Sequence, residues 1–194
     1  MIWVYVEGPS DKLGLEALLR NEIRDWRQRG IGLRLLPLGG KGNVLGEIGR
    51  RTRLALATNH ADHIFALIDL YPGHVDAESL RQELRQRVEP QWHARFHAHV
   101  AVHDFEAWVL ANKEQLSKRL GVATLHGFNS PETVNDQKPP AERLKELFIR
   151  HKRTYQKEVD GPAILRRTTP AVISDQCPNF QLFYKDLLTC AEKR

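Results

Sequence analysis

Carboxylates recur in this chain directly after short apolar runs. Glu7 closes Ile2-Trp3-Val4-Tyr5-Val6, and Asp69 closes His63-Ile64-Phe65-Ala66-Leu67-Ile68. Asp104 and Glu106 follow a further run from about Phe96 to Val102. Folding alone does not call for an acid at such a place. Carboxylates gathered at one point are hard oxygen ligands for Mg²⁺ or Mn²⁺, and a cation held there activates water and stabilises a leaving oxygen. Whether these acids meet depends on the elements that carry them.

The apolar runs are short, continuous and rich in valine, isoleucine and aromatic residues, which fits strands buried on both faces. A helix signal follows the first at once. Ser10 can cap that helix, and Asp11 stands where the helix dipole favours negative charge. From Asp11 to about Arg29, Leu15, Leu18, Leu19, Ile23 and Trp26 recur at helical spacing, and Gly30 and Gly32 end the pattern. Leu33–Leu38 is a second strand, followed by Gly39-Gly40-Lys41-Gly42-Asn43. A glycine cluster here lets backbone amides approach a phosphate or a carboxylate site, although it lacks the spacing of a Walker loop. A basic helix from roughly Val44 to Asn59 carries Arg50, Arg51 and Arg53. The third strand ends at Asp69, the loop after it holds Tyr71 and His74, and Asp76 can cap the next helix. After Trp108 the pattern is helical and punctuated by proline, with helices expected over Ala141–His151, Gly161–Arg167 and Phe180–Glu192.

Strands alternating with helices predict an α/β fold with a mainly parallel central sheet of about four strands flanked by helices. Neighbouring parallel strands end on one edge, the edge where open α/β sheets place their ligands, so Glu7 and Asp69 are expected to converge. Residues 1–112 are the expected core, and 113–194 an α-helical C-terminal extension packed on it as a single compact unit.

At 194 residues, with 41% hydrophobic and 27% charged residues, the composition is that of an ordinary soluble protein. No apolar run approaches membrane-spanning length, so no membrane partner is expected. Cys177 and Cys190 are too few and too unpatterned for a disulfide framework or a zinc site, which points to a reducing, cytoplasmic setting. The net charge of +5 leans toward a polyanionic partner.

Val6-Glu7-Gly8-Pro9-Ser10-Asp11, the Gly39-Gly40 turn and Asp69 together resemble the TOPRIM domain, the fold shared by topoisomerases, bacterial primases and OLD-type nucleases. The phrases Glu7–Asp11, Asp69-Leu70-Tyr71, Phe105-Glu106-Ala107, Lys157-Glu158-Val159-Asp160-Gly161 and Cys177-Pro178-Asn179-Phe180 look like the bacterial family called domain of unknown function 4276. Their order along nearly the whole chain carries that likeness. Members are commonly encoded beside ATPases in defence-type gene clusters, and the resemblance implies the same setting here.

TOPRIM enzymes hold Mg²⁺ through a glutamate after the first strand and an Asp-x-Asp after the third. Glu7 and Asp69 match two of these positions, but Tyr71 stands where the second aspartate belongs. A phenol is a poor Mg²⁺ ligand. Glu106 is the first substitute, with Asp104 and Asp76 after it. By analogy with OLD-type nucleases, Lys157 would stabilise charge on a transferring phosphate.

The leading expectation is a divalent-metal-dependent nuclease cleaving DNA or RNA, working with an ATPase and possible as an oligomer. Glu7, Asp69 and Glu106 would hold Mg²⁺ or Mn²⁺, and Lys157 would complete the catalytic set. Lys41, Arg50, Arg51 and Arg53 would hold the nucleic-acid backbone without reading sequence. Gly8, Asp11, Gly40, Tyr71, His74 and Asp104 are secondary candidates. The alternative, which Tyr71 favours, is a catalytically inactive TOPRIM-like module that binds nucleic acid or a partner.

Overall fold

The computed structural model describes residues 1–74, 76–125, 131–132 and 138–192, so the expected 113–194 extension is described over part of its length. Four strands, β1 (Ile2–Val6), β2 (Leu33–Pro37), β3 (His63–Asp69) and β4 (Phe96–Ala101), form one sheet in the order β2-β1-β3-β4. All three pairings are parallel, with Val6 opposite Leu67 and Asp69 opposite Ala101. The central position of β1 and β3 explains their unbroken apolar character. Val4, Val6, Phe65 and Leu67 enter the core on one face, while Tyr5, Ile64, Ala66 and Ile68 enter the other.

The helices divide between these faces. α3 (Lys41–Ala57) and α4 (Ala77–Gln86) cover the second core through Val44, Ile48, Leu80 and Leu84. α1 (Pro9–Leu18) and α2 (Arg20–Gln28) cover the first, together with α5 (Glu106–Ala111), α6 (Lys113–Leu120), α7 (Pro140–Arg150), α8 (Lys157–Leu165), α9 (Pro170–Ser174) and α10 (Pro178–Glu192). A 3₁₀ segment, Pro90–Arg95, leads into β4. The helix expected as one piece from Asp11 to Arg29 is divided at Leu19. Its hydrogen bonding nevertheless continues, because Leu19 N–H donates to Leu15 O and Ile23 N–H to Leu19 O. The division is a local change in geometry and leaves Leu19 fully buried.

Close approaches set the remaining packing. A Cβ on Gly14 would lie 2.5 Å from the Phe105 ring and 3.1 Å from Leu165, so glycine lets α1 seat against α8 and the residue that precedes α5. Gly49 of α3 lies under the Arg87 carbonyl, where a Cβ would come within 2.0 Å of the oxygen. Among the described residues, no helix is long and apolar enough to cross a membrane.

Candidate metal and phosphate site

The parallel register leaves the ends of β1, β3 and β4 side by side, and backbone amides tie the acids there together. Gly39 and Gly40, at φ values of 82° and 114°, direct both their N–H groups onto the Glu7 carbonyl at 2.8 Å. These glycines therefore position Glu7, and their amides are not offered to a phosphate. The Glu7 side chain in turn accepts from Asp69 N–H through Oε1 at 2.9 Å. Asp69 accepts from Phe105 N–H through Oδ1 at 2.9 Å. Asp11, in the first turn of α1, accepts from Gly8 N–H at 2.8 Å. Asp104 accepts from Ala141 N–H at 3.2 Å, while its buried Oδ1 has no hydrogen-bond partner among the described residues.

The electrostatics identify these groups as one cluster. Burial raises Asp69 well above the usual carboxylate range, and Asp11, Glu7, Asp104 and Glu106 add to the rise. Burial also raises Asp11, with Glu106 reinforcing it. Glu7 is raised by burial against the opposing pull of the Asp69 amide and Lys41. Asp104 is pushed up to about 7 by burial and by Glu106 beside it. Five acids thus share one edge, with two lysines near them. Lys157 Nζ lies 2.8 Å from Glu106 Oε1. Burial pulls the Lys157 ammonium down, but Glu106, then Asp69 and Asp104, outweigh this and leave it raised. Lys41 is lowered by burial despite Glu7 and Asp69, and its Nζ donates to the carbonyls of Leu70 at 2.8 Å and Pro72 at 2.7 Å.

Glu106 and Asp104 stand in this group as the sequence led us to expect. Asp11, a secondary candidate there, is the largest carboxylate influence on Asp69. Its helix-capping position had supplied a sufficient local explanation and hidden its long-range role. Other candidates fall elsewhere. Tyr71 is exposed, with its ring edge-on to His103. His74 Nε2 is 3.0 Å from Glu83 on α4. Asp76 caps α4 by accepting from Ser79 N–H at 2.7 Å. Arg50 and Arg51 pair with Glu47, and Arg53 with Glu89. Lys41 begins α3 at the acidic edge, and a rise of 1.5 Å per residue puts Arg50 to Arg53 roughly 14–18 Å down the helix from it.

Two partners of the site were not among the candidate site residues, although Asp160 stands in one of the family phrases. Asp160, buried in the first turn of α8, accepts from Gln156 N–H at 2.7 Å and pairs with Arg119 at 2.6 Å, fixing the helix start that carries Lys157. The partly buried Tyr155 phenol is raised by burial, then by Glu106 and Asp160. A groove of about 820 Å³ also runs between α1, α6 and α8, with Lys118, Arg153, Arg166 and Arg167 among its lining residues.

The donor set fits a hard divalent cation that keeps part of its water shell. Carboxylate oxygens suit Mg²⁺ and Mn²⁺, and Mg²⁺ is commonly held by one or two carboxylates plus water. Among the described residues, no three of these acids bring ligand atoms within 4.8 Å of one another, which argues against a closed all-protein cage. The partnerless Asp104 Oδ1 and the raised acids describe a site with more negative charge than its two lysines offset.

A four-stranded parallel sheet with its acids on the carboxyl edge, flanked by helices on both faces, defines a TOPRIM-like α/β protein. The chain belongs to the family described as Domain of unknown function (DUF4276), whose model matches residues 6–188. Among solved structures it is similar to the C-terminal region of the Burkholderia pseudomallei OLD protein, with a TM-score of 0.56 and 14% identity over 96% of this chain and 97% of that one. The corresponding region of the Xanthomonas campestris pv. campestris OLD protein gives a TM-score of 0.44 at 14% identity over 92% and 93% of the two chains. A comparison with curated proteins gave no match.

Proposed function

We propose that this protein is a divalent-metal-dependent nuclease that cleaves phosphodiester bonds in DNA or RNA. The observation that carries this reading is the gathering of Glu7, Asp11, Asp69, Asp104 and Glu106 around the reach of Lys157. Glu7 and Asp69 would hold Mg²⁺ or Mn²⁺, with Asp11 and Glu106 adding negative potential. The bound ion would supply an activated water and stabilise the leaving oxygen.

The chain's own groups divide the remaining work. The Lys157 side chain is 45% exposed and its ammonium is held by the buried Glu106, so it can meet a phosphate oxygen at this edge. Asp104, with a pKa of about 7, changes protonation near neutrality and suits proton transfer at this edge. The basic groove between α1, α6 and α8 would hold the backbone through Lys118, Arg153, Arg166 and Arg167, without base readout. The family setting supports a further step: this chain would be the effector of a bacterial defence system that works with an ATPase.

The test is cleavage of single- and double-stranded DNA and of RNA by purified chain, with Mg²⁺ or Mn²⁺, alone and with the neighbouring ATPase. Glu7→Gln removes the charge but keeps the acceptor for Asp69 N–H, and should lower turnover roughly a hundredfold or more. Lys157→Met should lower kcat by about 10²–10³, with partial recovery in Lys157→Arg. Absence of cleavage under every cation, with Glu7→Gln indistinguishable from wild type in cells, would overturn the enzyme and leave a binding module.

A further inference from the structure

The opposite edge of the sheet holds a second cluster of a different chemical kind. His63 opens β3, His97 is the second residue of β4, and Cys190 lies in the last turns of α10. His63 Nδ1 and His97 Nε2 are 3.2 Å apart, and Cys190 Sγ is 3.4 Å from the same Nε2. All three ligand atoms lie within 4.8 Å of one another, and among the described residues no other group of three does so.

We propose that His63, His97 and Cys190 form a transition-metal site that takes Zn²⁺. Zinc bonds of about 2.0–2.1 Å to nitrogen and 2.3 Å to sulfur, arranged tetrahedrally, put neighbouring ligand atoms roughly 3.3–3.7 Å apart. Two of the three separations already sit close to this, and the third lies within 4.8 Å. Two imidazoles and a thiolate select a borderline metal over the hard cation suited to the acidic edge. The three ligands leave a fourth position for water.

Proton bookkeeping favours the same occupant. His97 Nε2 carries either one proton or one lone pair, yet it faces both the His63 nitrogen and the Cys190 sulfur. One cation satisfies all three, with the Cys190 thiol proton released to solvent on binding. Burial, then His63 and His99, pull His97 below the usual imidazole range. The His97 ring stacks on Phe65 at 4.4 Å, which fixes the plane of the donor. Asp186, one helical turn before Cys190, sits 3.3 Å from His99 Nε2 and also draws His97 upward, against the positive influence of Arg85. Cys190 is buried while both histidines are partly open, so an ion has a path from solvent.

Cys177 and Cys190 had looked too unpatterned for zinc. The ligands come from three elements far apart in sequence, so no spacing could announce them. A bound ion here would join the starts of β3 and β4 to the end of α10, independently of the nuclease reading.

The test strips the full chain with EDTA and titrates it with Co²⁺. One equivalent should bind with the intense visible d–d bands of a tetrahedral site and a near-ultraviolet thiolate-to-cobalt charge-transfer band, while Co²⁺ taken up by the oxygen ligands of the acidic edge gives neither. Cys190→Ser should lose the charge-transfer band, whereas Cys177→Ser and Glu7→Gln should keep it. His63→Gln should weaken Co²⁺ binding by more than the roughly tenfold that an outer-shell change costs. Zn²⁺ at a hundredfold excess over Kd should raise Tm by roughly 5–10 °C in wild type and by far less in Cys190→Ser. A folded wild type without the charge-transfer band, or a band that survives in folded Cys190→Ser, would overturn the site. Should Cys190→Ser not fold, an unweakened Co²⁺ titration in His63→Gln would do the same.

Discussion

Asp104→Asn in metal-free protein isolates the cost of the acidic edge. The carboxyl of Asp104 is displaced from 3.8 to about 7 by burial and by Glu106, so the folded state holds its proton more tightly than the unfolded chain does. The stability linked to that proton is fully present below about pH 4 and is lost as the pH rises to about 7. At about pH 8, ionised in both states, Asp104 costs about 4 kcal/mol; at about pH 5 the cost is about 1.7 kcal/mol. Asparagine carries no such charge and can still accept from Ala141 N–H through its carbonyl oxygen. With local relaxation and water entry absorbing about half, the variant should gain about 2 kcal/mol at about pH 8 and under 1 kcal/mol at about pH 5. For a chain of this length, the larger gain corresponds to a Tm rise of about 4–8 °C. Thermal melts in EDTA at the two pH values measure this directly. Equal gains at both, or a loss at the higher pH, would refute the buried, charge-crowded account of Asp104.

Four other outcomes are expected. Adding Mg²⁺ or Mn²⁺ should raise the Tm of wild type more at about pH 8 than at about pH 5, because protonated acids do not bind the ion, and Glu7→Gln should shrink the rise. Arg119→Ala leaves Asp160 buried without its cation and should cost about 2 kcal/mol in denaturant unfolding, less than a fully buried pair because Arg119 is 38% exposed. Gly49→Ala forces a Cβ to within 2.0 Å of the Arg87 carbonyl and should lower Tm through a loss of roughly 3 kcal/mol. In salt titrations of nucleic-acid binding, Arg166→Ala with Arg167→Ala should reduce the log–log slope by ~0.9 per lost phosphate contact on duplex DNA or ~0.7 on single strands. Arg50, Arg51 and Arg53, engaged with Glu47 and Glu89 away from the acids, should change it less when replaced by alanine.

The sheet was legible because its strands are short apolar runs that each lead into a helix, and a carboxylate after such a run has few places to go. Hence Glu7 and Asp69 meet as expected, with β1 beside β3. The direction of the surface charges was not legible. Arg50 to Arg53 gave a basic helix by composition, but this part of α3 lies several helical turns from the acids. Asp11 illustrates a different limit: a local role at the start of α1 was sufficient to explain it, and nothing local reported its influence on Asp69. Partners such as Asp160 with Arg119 lie 41 positions apart, and His97 with Cys190 lie 93 apart. Pairings of that range leave no periodic trace.

The motif phrases also separate once their places are known. Glu7–Asp11, Asp69, Glu106 and Lys157 come to one edge, whereas Asn179 and Phe180 of the Cys-Pro-Asn-Phe phrase hold the buried Glu132 through their N–H groups at 2.8 and 3.3 Å. Glu132 also receives Trp108 Nε1 at 3.4 Å, so this phrase anchors the start of α10 to α5. Burial still raises Glu132, although these donors pull the other way. At the acidic edge Glu7, Asp11, Asp69 and Asp104 are each raised by a neighbouring carboxylate as well as by burial, and each rise marks free energy withheld from the fold at neutral pH. Apolar residues of similar volume would pack there at lower cost. A cluster that destabilises the metal-free chain makes physical sense when a cation returns that energy on binding. Two lysines alone, one of them lowered by its own burial, do not.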